Sequence, residues 1–225
     1  MDGEKTQQDR FHQELETLKG RLLELADLAK TALDRSITAF RDRNQDLAGQ
    51  VIEGDKAIND LEVVLDGECI RLVALYQPVA VDLRIIMAVD HIIAEIERVG
   101  DMAVNMAEEA LTQARFPDHP LHPQIIPMAR KVQDMLMRSL EAFINRDVPA
   151  ARQVCRDDDE IDHLDQSIIQ EILESMTAHQ EIVPGDLSQI TIVRNLERVG
   201  DHATNIAEQV IFMVEGENVR HRCQG

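Results

Sequence analysis

The chain has little that is aromatic: 3% of its residues, with one tyrosine and no tryptophan, alongside only 7 prolines and 10 glycines in 225 residues. With 44% apolar and 29% charged residues, that scarcity fits helices packed on helices, so an all-α fold is expected. Missing too are any apolar run long enough to cross a bilayer and the basic-then-apolar opening of a signal peptide. Basic residues are outnumbered, 23 Lys and Arg against 42 Asp and Glu, for a net charge of −19. That imbalance argues against nucleic acid and anionic membrane surfaces, which need a basic patch to displace counterions, while the lack of a long apolar run argues against direct membrane insertion. It suits cations or basic partner surfaces instead. The cysteines, Cys69, Cys155 and Cys223, are odd in number and too far apart for a C-x-x-C pair. They read as buried or idle thiols of a reducing compartment. A Walker A loop, a dinucleotide fingerprint and an activated nucleophile are also lacking. The remaining expectation is a soluble cytoplasmic protein with no ordinary catalytic motif.

What is present is periodic. From Phe11 the apolar residues Leu15, Leu18, Leu22, Leu25, Ala29 and Ala32 alternate four and three apart, which keeps one stripe of a helix inward as far as about Arg43. A second stripe, Leu47, Val51, Ile58, Leu61, Leu65, Leu72, stops at Gln77-Pro78, where the proline ring forbids continuation. A third begins near Asp82. The segment holding Pro117, Pro120 and Pro123 excludes helix and reads as a hinge. Three more stripes follow: from Ile125 to Phe143, from Val154 to Met176 with Pro149 in a tolerant first turn, and a sixth whose N-cap is expected at Asp186 or Ser188.

The halves also match each other. Ala39-Phe40 answers Ala142-Phe143, Gln50-Val51 answers Gln153-Val154, and Asp55, Ile58 and Leu61 answer Asp158, Ile161 and Leu164. Ordered matches of this kind mark an internal duplication. The expected architecture is all-α, two tandem three-helix bundles of about a hundred residues each, packed side by side. The boundaries read as 1–115 for the first bundle, 116–124 for a Pro-rich linker, 125–217 for the second bundle and 218–225 for a tail.

The third and sixth stripes carry one pentapeptide, ERVGD, at Glu97–Asp101 and Glu197–Asp201, and the echo continues through Asn105/Asn205 and Glu108/Glu208. Residues four apart on a helix lie one above the other, about 5 to 6 Å between Cβ atoms, so Glu97 and Asp101 share a face, which Asn105 and Glu108 are expected to continue. The second and fifth stripes offer Asp55 with Asn59, and Asp158 with Asp162, at the same spacing. Antiparallel neighbours would bring these faces together, and four oxygen ligands from two helices suit a hard cation or a small cluster. The alternative is a solvated face of an acidic protein, and repetition in both halves weighs for the cation site. Gly100 and Gly200 cost about 1 kcal/mol each relative to alanine in a helix. Room for ions and close approach of a neighbouring helix would each explain them. Arg98 and Arg198 read as neutralising partners or solvated residues, and His202 has only Met102 opposite it in the repeat. Glu160 and His163 show the E-x-x-H spacing of di-iron carboxylate bundles, but that class needs two such pairs. His119, His122 and His221 form no ligand framework.

The segments ERVGDMAVNMAEEA and ERVGDHATNIAEQV, one on the third helix of each bundle, resemble the PhoU family of phosphate-signalling proteins, over about residues 10 to 217. The stretch Pro78–Arg84 is similar to that family's DLR-containing entry to helix three; the second half keeps only Asp186-Leu187, with Ser188 in place of the Arg. The resemblance implies metal sites at Glu97, Asp101, Glu197 and Asp201, with Asp55, Asn59, Asp158 and Asp162 as the partner motif. The ions would be divalent or trivalent: Mg, Mn, Fe or Zn. Asn59 stands where an acid would be the stronger ligand, so the first site is expected to carry less charge. The resemblance further implies a cytoplasmic homodimer, not an enzyme. It would act in signal transduction as a negative regulator of phosphate uptake and the phosphate-starvation response, coupling the ATPase subunit of a phosphate ABC transporter to a sensor histidine kinase. A phosphate ion bound through the cations is a further expectation, since an acidic face attracts an anion only through metal. A ferritin-like di-iron enzyme and a metal-free helical adaptor are the competing readings.

Overall fold

The computed structural model describes residues 2–116, 119–178 and 183–219. Its helices are α1 (Asp2–Asp42), α2 (Gln45–Tyr76), α3 (Ala80–Gln113), α4 (Ile125–Asn145), α5 (Val148–Ala178) and α6 (Val183–Glu215), and no strand occurs among the described residues. The all-α expectation holds. Pro117 and the tail from residue 220, with His221 and Cys223, lie outside the described residues.

The first turn of each half is repeated as faithfully as the acids. Arg43 follows α1 and Arg146 follows α4, both left-handed, with φ of 50° and 53°. The next residue caps the following helix: Asn44 Oδ1 accepts from the Leu47 amide at 3.0 Å, and Asp147 Oδ1 accepts from the Ala150 amide at 3.0 Å. Such caps satisfy amides that the helix itself leaves unpaired. Pro149 therefore falls in the first turn of α5, where its missing N–H costs nothing. α2 ends on left-handed Gln77, ahead of Pro78.

The sixth helix departs from expectation. It begins at Val183, so Asp186 and Ser188 are not its N-cap. Both are buried one turn inside, where other partners claim their oxygens: Asp186 Oδ1 meets His119 Nε2 at 2.9 Å, and the Ser188 hydroxyl donates to the Glu109 carbonyl at 3.2 Å. His119, which joins no ligand framework in the sequence, is the buried anchor of the linker. A Cβ added at Gly185 would lie 2.4 Å from its ring.

α3 packs against α1, α2 and α6, while α6 packs against α3, α4 and α5. These two are the central helices, which is why their buried residues wrap more than one face. Leu18, Leu22, Leu25 and Leu33 of α1 are fully buried against α2 and α3, and Met128, Val132 and Met135 of α4 do the same work in the second half. Truncating one such leucine to alanine would cost about 2 to 5 kcal/mol. Buried side chains of both bundles form one continuous core. Cys69 is a buried free thiol, as expected, whereas Cys155 is disulfide-bonded, which corrects the reading of an idle thiol there.

Along the α3–α6 seam the repeat meets itself in antiparallel register. Asn105 Nδ2 reaches Asn195 Oδ1 at 3.4 Å, and at the equivalent crossing Asn205 Nδ2 donates to Glu95 Oε2 at 3.0 Å, with His202 Nδ1 2.7 Å from the same oxygen. Burial pushes the Glu95 carboxyl up, but the hydrogen bonds from His202 and Asn205 outweigh it and hold the group below the usual range. Asn105 and Asn205 thus belong to the seam. The expectation that they extend the acidic faces fails because four-residue steps drift around a 3.6-residue helix. Glu208 is likewise buried, beside His91 and Gln209.

Candidate metal centres

Two furrows carry the acids, one between α2 and α3 and one between α5 and α6. The neighbouring helix comes close to each glycine, more tightly at Gly100 than at Gly200. A Cβ at Gly100 would meet Ile58 Cδ1 at 3.0 Å and Asp55 Oδ1 at 3.7 Å; one at Gly200 would meet Asp158 Oδ1 and Ile161 Cγ2, both at 3.4 Å. Close approach of the neighbouring helix thus accounts for Gly100, where a side chain would crowd Ile58, whereas at Gly200 a methyl would meet its neighbours at ordinary contact distance; in both furrows the neighbouring helix brings its aspartate to the ERVGD segment.

In the first furrow Asn59 Nδ2 donates to Asp55 Oδ2 at 2.8 Å, while Asp55 Oδ1 and Asn59 Oδ1 are buried without hydrogen-bond partners. Buried oxygens left bare cost free energy that a cation or water would return. Glu97 is held above the usual carboxylate range by burial, then by Asp101, Glu62 and Asp55, against the opposing charge of Arg98. Arg98 Nη1 lies 3.0 Å from Asp101 Oδ2 and its Nε 3.6 Å from Glu97, so this arginine neutralises the acids from the solvent side.

The second furrow is more strained. Burial, then Asp201, Asp162 and Glu197, push the Asp158 carboxyl up to about 7. Glu197 is raised by burial and by Asp201, Asp165 and Asp162; Asp201 is raised by burial and by Asp162, with His202 and Arg198 opposing. Like charges that cannot separate hold on to protons in this way. Arg198 is exposed and makes no ion pair among the described residues, whereas Arg194 Nη1 binds the buried Asp165 at 2.7 Å.

All eight expected residues therefore line the two furrows, four in each. Sequence reasoning missed Glu62 and Asp165, which occupy equivalent places three residues beyond Asn59 and Asp162. The signal was available: Asp55, Asn59 and Glu62 are spaced four and then three apart, the step of a single helix face. Among the described residues, no three His, Cys, Asp or Glu side chains converge closely enough to hold a metal ion by themselves. The donor chemistry nonetheless fits a hard cation, with carboxylate and amide oxygens, bare buried oxygens and mutual repulsion that an ion would relieve. Glu160 and His163 do not join them. Glu160 pairs with Lys131 at 3.0 Å on the exposed side of α5, and His163 bonds the carbonyl of Asp159.

This combination defines a class: an internally repeated all-α scaffold bearing a carboxylate-lined furrow in each half, with no described helix long and apolar enough to cross a membrane. Comparison with known proteins then gives the family. The PhoU domain model matches residues 22–110 and 125–210, once in each bundle. The chain is 33% identical over 211 residues to the phosphate-specific transport system accessory protein PhoU of Escherichia coli, covering 94% of this chain and 88% of that one. It is 36% identical over 213 residues to the PhoU homolog of Aquifex aeolicus, covering 95% and 96%. The crystal structure of PhoU from Pseudomonas aeruginosa superposes with a TM-score of 0.90 at 33% identity, covering 92% of this chain and all of the other. The chain belongs to the PhoU family.

Proposed function

We propose that the protein is a cytoplasmic negative regulator of phosphate uptake, an accessory to a phosphate ABC transporter that couples the transporter's ATPase subunit to a sensor histidine kinase. The carrying observation is similarity to named transport accessory proteins along 94% of the chain, with both acidic furrows included. An accessory scaffold also accords with the site's chemistry. Each furrow presents oxygen donors, with no nucleophile and base held in a reacting pair, so its residues bind and position rather than transform.

Asp55, Asn59, Glu97 and Asp101 would hold metal in the first furrow, helped by Glu62; Asp158, Asp162, Glu197 and Asp201 would do so in the second, helped by Asp165. Bound cations would supply positive charge that bridges the paired helices and offers an anion such as phosphate a place to bind. The chain's own part is to pack the paired helices closely, most tightly at Gly100, and to bring acids from two helices together. Mg, Mn, Fe and Zn all suit such donors to different degrees. A homodimer would display four furrows.

The regulatory reading is tested by expressing the chain in a bacterium stripped of its own PhoU protein and following a phosphate-starvation reporter. Repression at high phosphate supports it; a reporter that stays on despite normal expression of the folded chain sinks it. Equilibrium dialysis with labelled phosphate, with and without chelator, tests the anion. Equal retention in the two conditions would count against binding through metal.

A further inference from the structure

Beyond Glu62 the furrow of the first bundle changes character. Asp66 on α2 and Asp90 on α3 face each other, and past them opens a groove of about 330 Å³ lined by Cys69, Ile70, Val73, Ala74, Ile86, Met87 and Asp90. Its rim is unusually apolar for so charged a chain: Ile70 is 68% exposed and Met87 38%, with Val73 and Ala74 beside them. Scattered exposed apolar residues are ordinary, but a contiguous patch beside a groove marks a surface that something covers.

The charges around it say what. Asp66 and Asp90 have no cationic partner among the described residues, and burial together with Asp90 holds the Asp66 carboxyl above its usual range. Burial, then Asp90, Asp66 and Glu68, push the Cys69 thiol on the groove floor up to about 12, although Glu68 itself is paired with Arg21. The groove thus has an apolar bed with two unneutralised carboxylates at one end. The second bundle lacks this frame: Ile169 and Ile190 stand at the places of Asp66 and Asp90, and both pack on the core, while Leu173 repeats the exposed Ile70. A second copy of the chain is a poor occupant, because groove-to-groove contact would set two pairs of bare carboxylates together in a molecule of net charge −19.

We propose that the groove between α2 and α3 of the first bundle docks an amphipathic helix of a partner protein, apolar along one face, with a lysine or arginine at one end that seats between Asp66 and Asp90. Helix-in-groove recognition of this kind reads apolar anchors spaced three and four apart. The basic end adds orientation, since only one direction of the helix brings its cation to the acids. The inference rests on the regulatory reading only for the existence of a protein partner, and its test does not pass through the reporter.

The probe is a synthetic helical peptide of about 14 residues, leucine and alanine with lysines at one end, its leucines at i, i+3, i+4 and i+7. Binding to the whole chain is followed by fluorescence anisotropy at physiological salt. Ile70→Glu should weaken it at least about tenfold, as expected for loss of a central apolar anchor. Asp66→Asn with Asp90→Asn should weaken it less and flatten its salt dependence, and Leu173→Glu on the second bundle should leave it unchanged. Ile70 and Leu173 are surface positions, so folding is not at stake, and circular dichroism verifies it. Wild-type affinity in Ile70→Glu, an equal loss in Leu173→Glu, or unaltered salt dependence in the double aspartate variant overturns the proposal. Equal binding of the same peptide with glutamates for lysines does so too. Conversion of a dimer to a monomer by Ile70→Glu in sedimentation would assign the groove to a second copy and would also refute it.

Discussion

The two acidic furrows share a plan but not a charge. In the first, Asn59 replaces an acid, it hydrogen-bonds Asp55, and Arg98 bridges toward Glu97 and Asp101. In the second, Asp162 adds a carboxylate, Arg198 makes no described ion pair, and Asp158 is driven to about 7. One duplicated framework has therefore been set at two electrostatic levels. The difference teaches that the helix geometry and the charge of the furrow are separable: close helix packing fixes the first, while one or two side chains adjust the second. The more repulsive furrow has more to gain from an ion and should fill first.

The comparison breaks most visibly if one furrow is emptied. Glu197→Ala with Asp201→Ala should reduce the metal in purified protein by about half, by elemental analysis of material prepared without an affinity-column metal, with helix content unchanged. Undiminished metal would show that these residues are not the ligands. Next in size is pH. A carboxyl whose pKa is raised in the folded state keeps its proton there longer than in the unfolded chain. Metal-free protein therefore loses stability as pH climbs from roughly 4, the ordinary carboxylate range, to about 7. Asp158→Asn should remove most of that slope, leaving the metal-free variant more heat-resistant than wild type at pH 8, on the order of 5 °C by calorimetry. Glu97→Gln should remove less.

Asn59→Asp sharpens the comparison from the other side. It should make the first furrow resemble the second, lowering metal-free melting while raising the affinity of that furrow for added Mn²⁺ in titration calorimetry by up to about tenfold. The smallest effect is expected at the glycines. Gly200→Ala gains up to about 1 kcal/mol of helix propensity, and its methyl meets Asp158 and Ile161 at ordinary contact distance, so the metal-free protein should become slightly more stable. Gly100→Ala, tighter against Ile58, should gain less.

Much of this was legible before any coordinates. The apolar stripes gave six helices and an antiparallel order, because period and proline are local signals, and the repeat gave the pairing of halves. The eight furrow residues followed from spacing together with family likeness. What escaped depended on neighbours far along the chain. Asn105 and Asn205 fit an acidic face by counting, yet they point into the seam, which periodicity on one helix cannot register. Asp186 and Ser188 look like caps in isolation; only the linker's His119 and the end of α3 reveal why they lie inside a helix. Glu62 and Asp165 were overlooked for a different reason, a search confined to steps of four when the next step on that face is three.

The antiparallel crossing of α3 and α6, where Asn105 meets Asn195 and Asn205 meets Glu95, makes one polypeptide behave as a pair of halves already joined. Two loose halves would part on dilution, and the distance between their sites would depend on how much protein a cell makes. A covalent tether removes that dependence. The spacing from one furrow to the other is thus a fixed ruler, the same whether few copies of the chain are present or many.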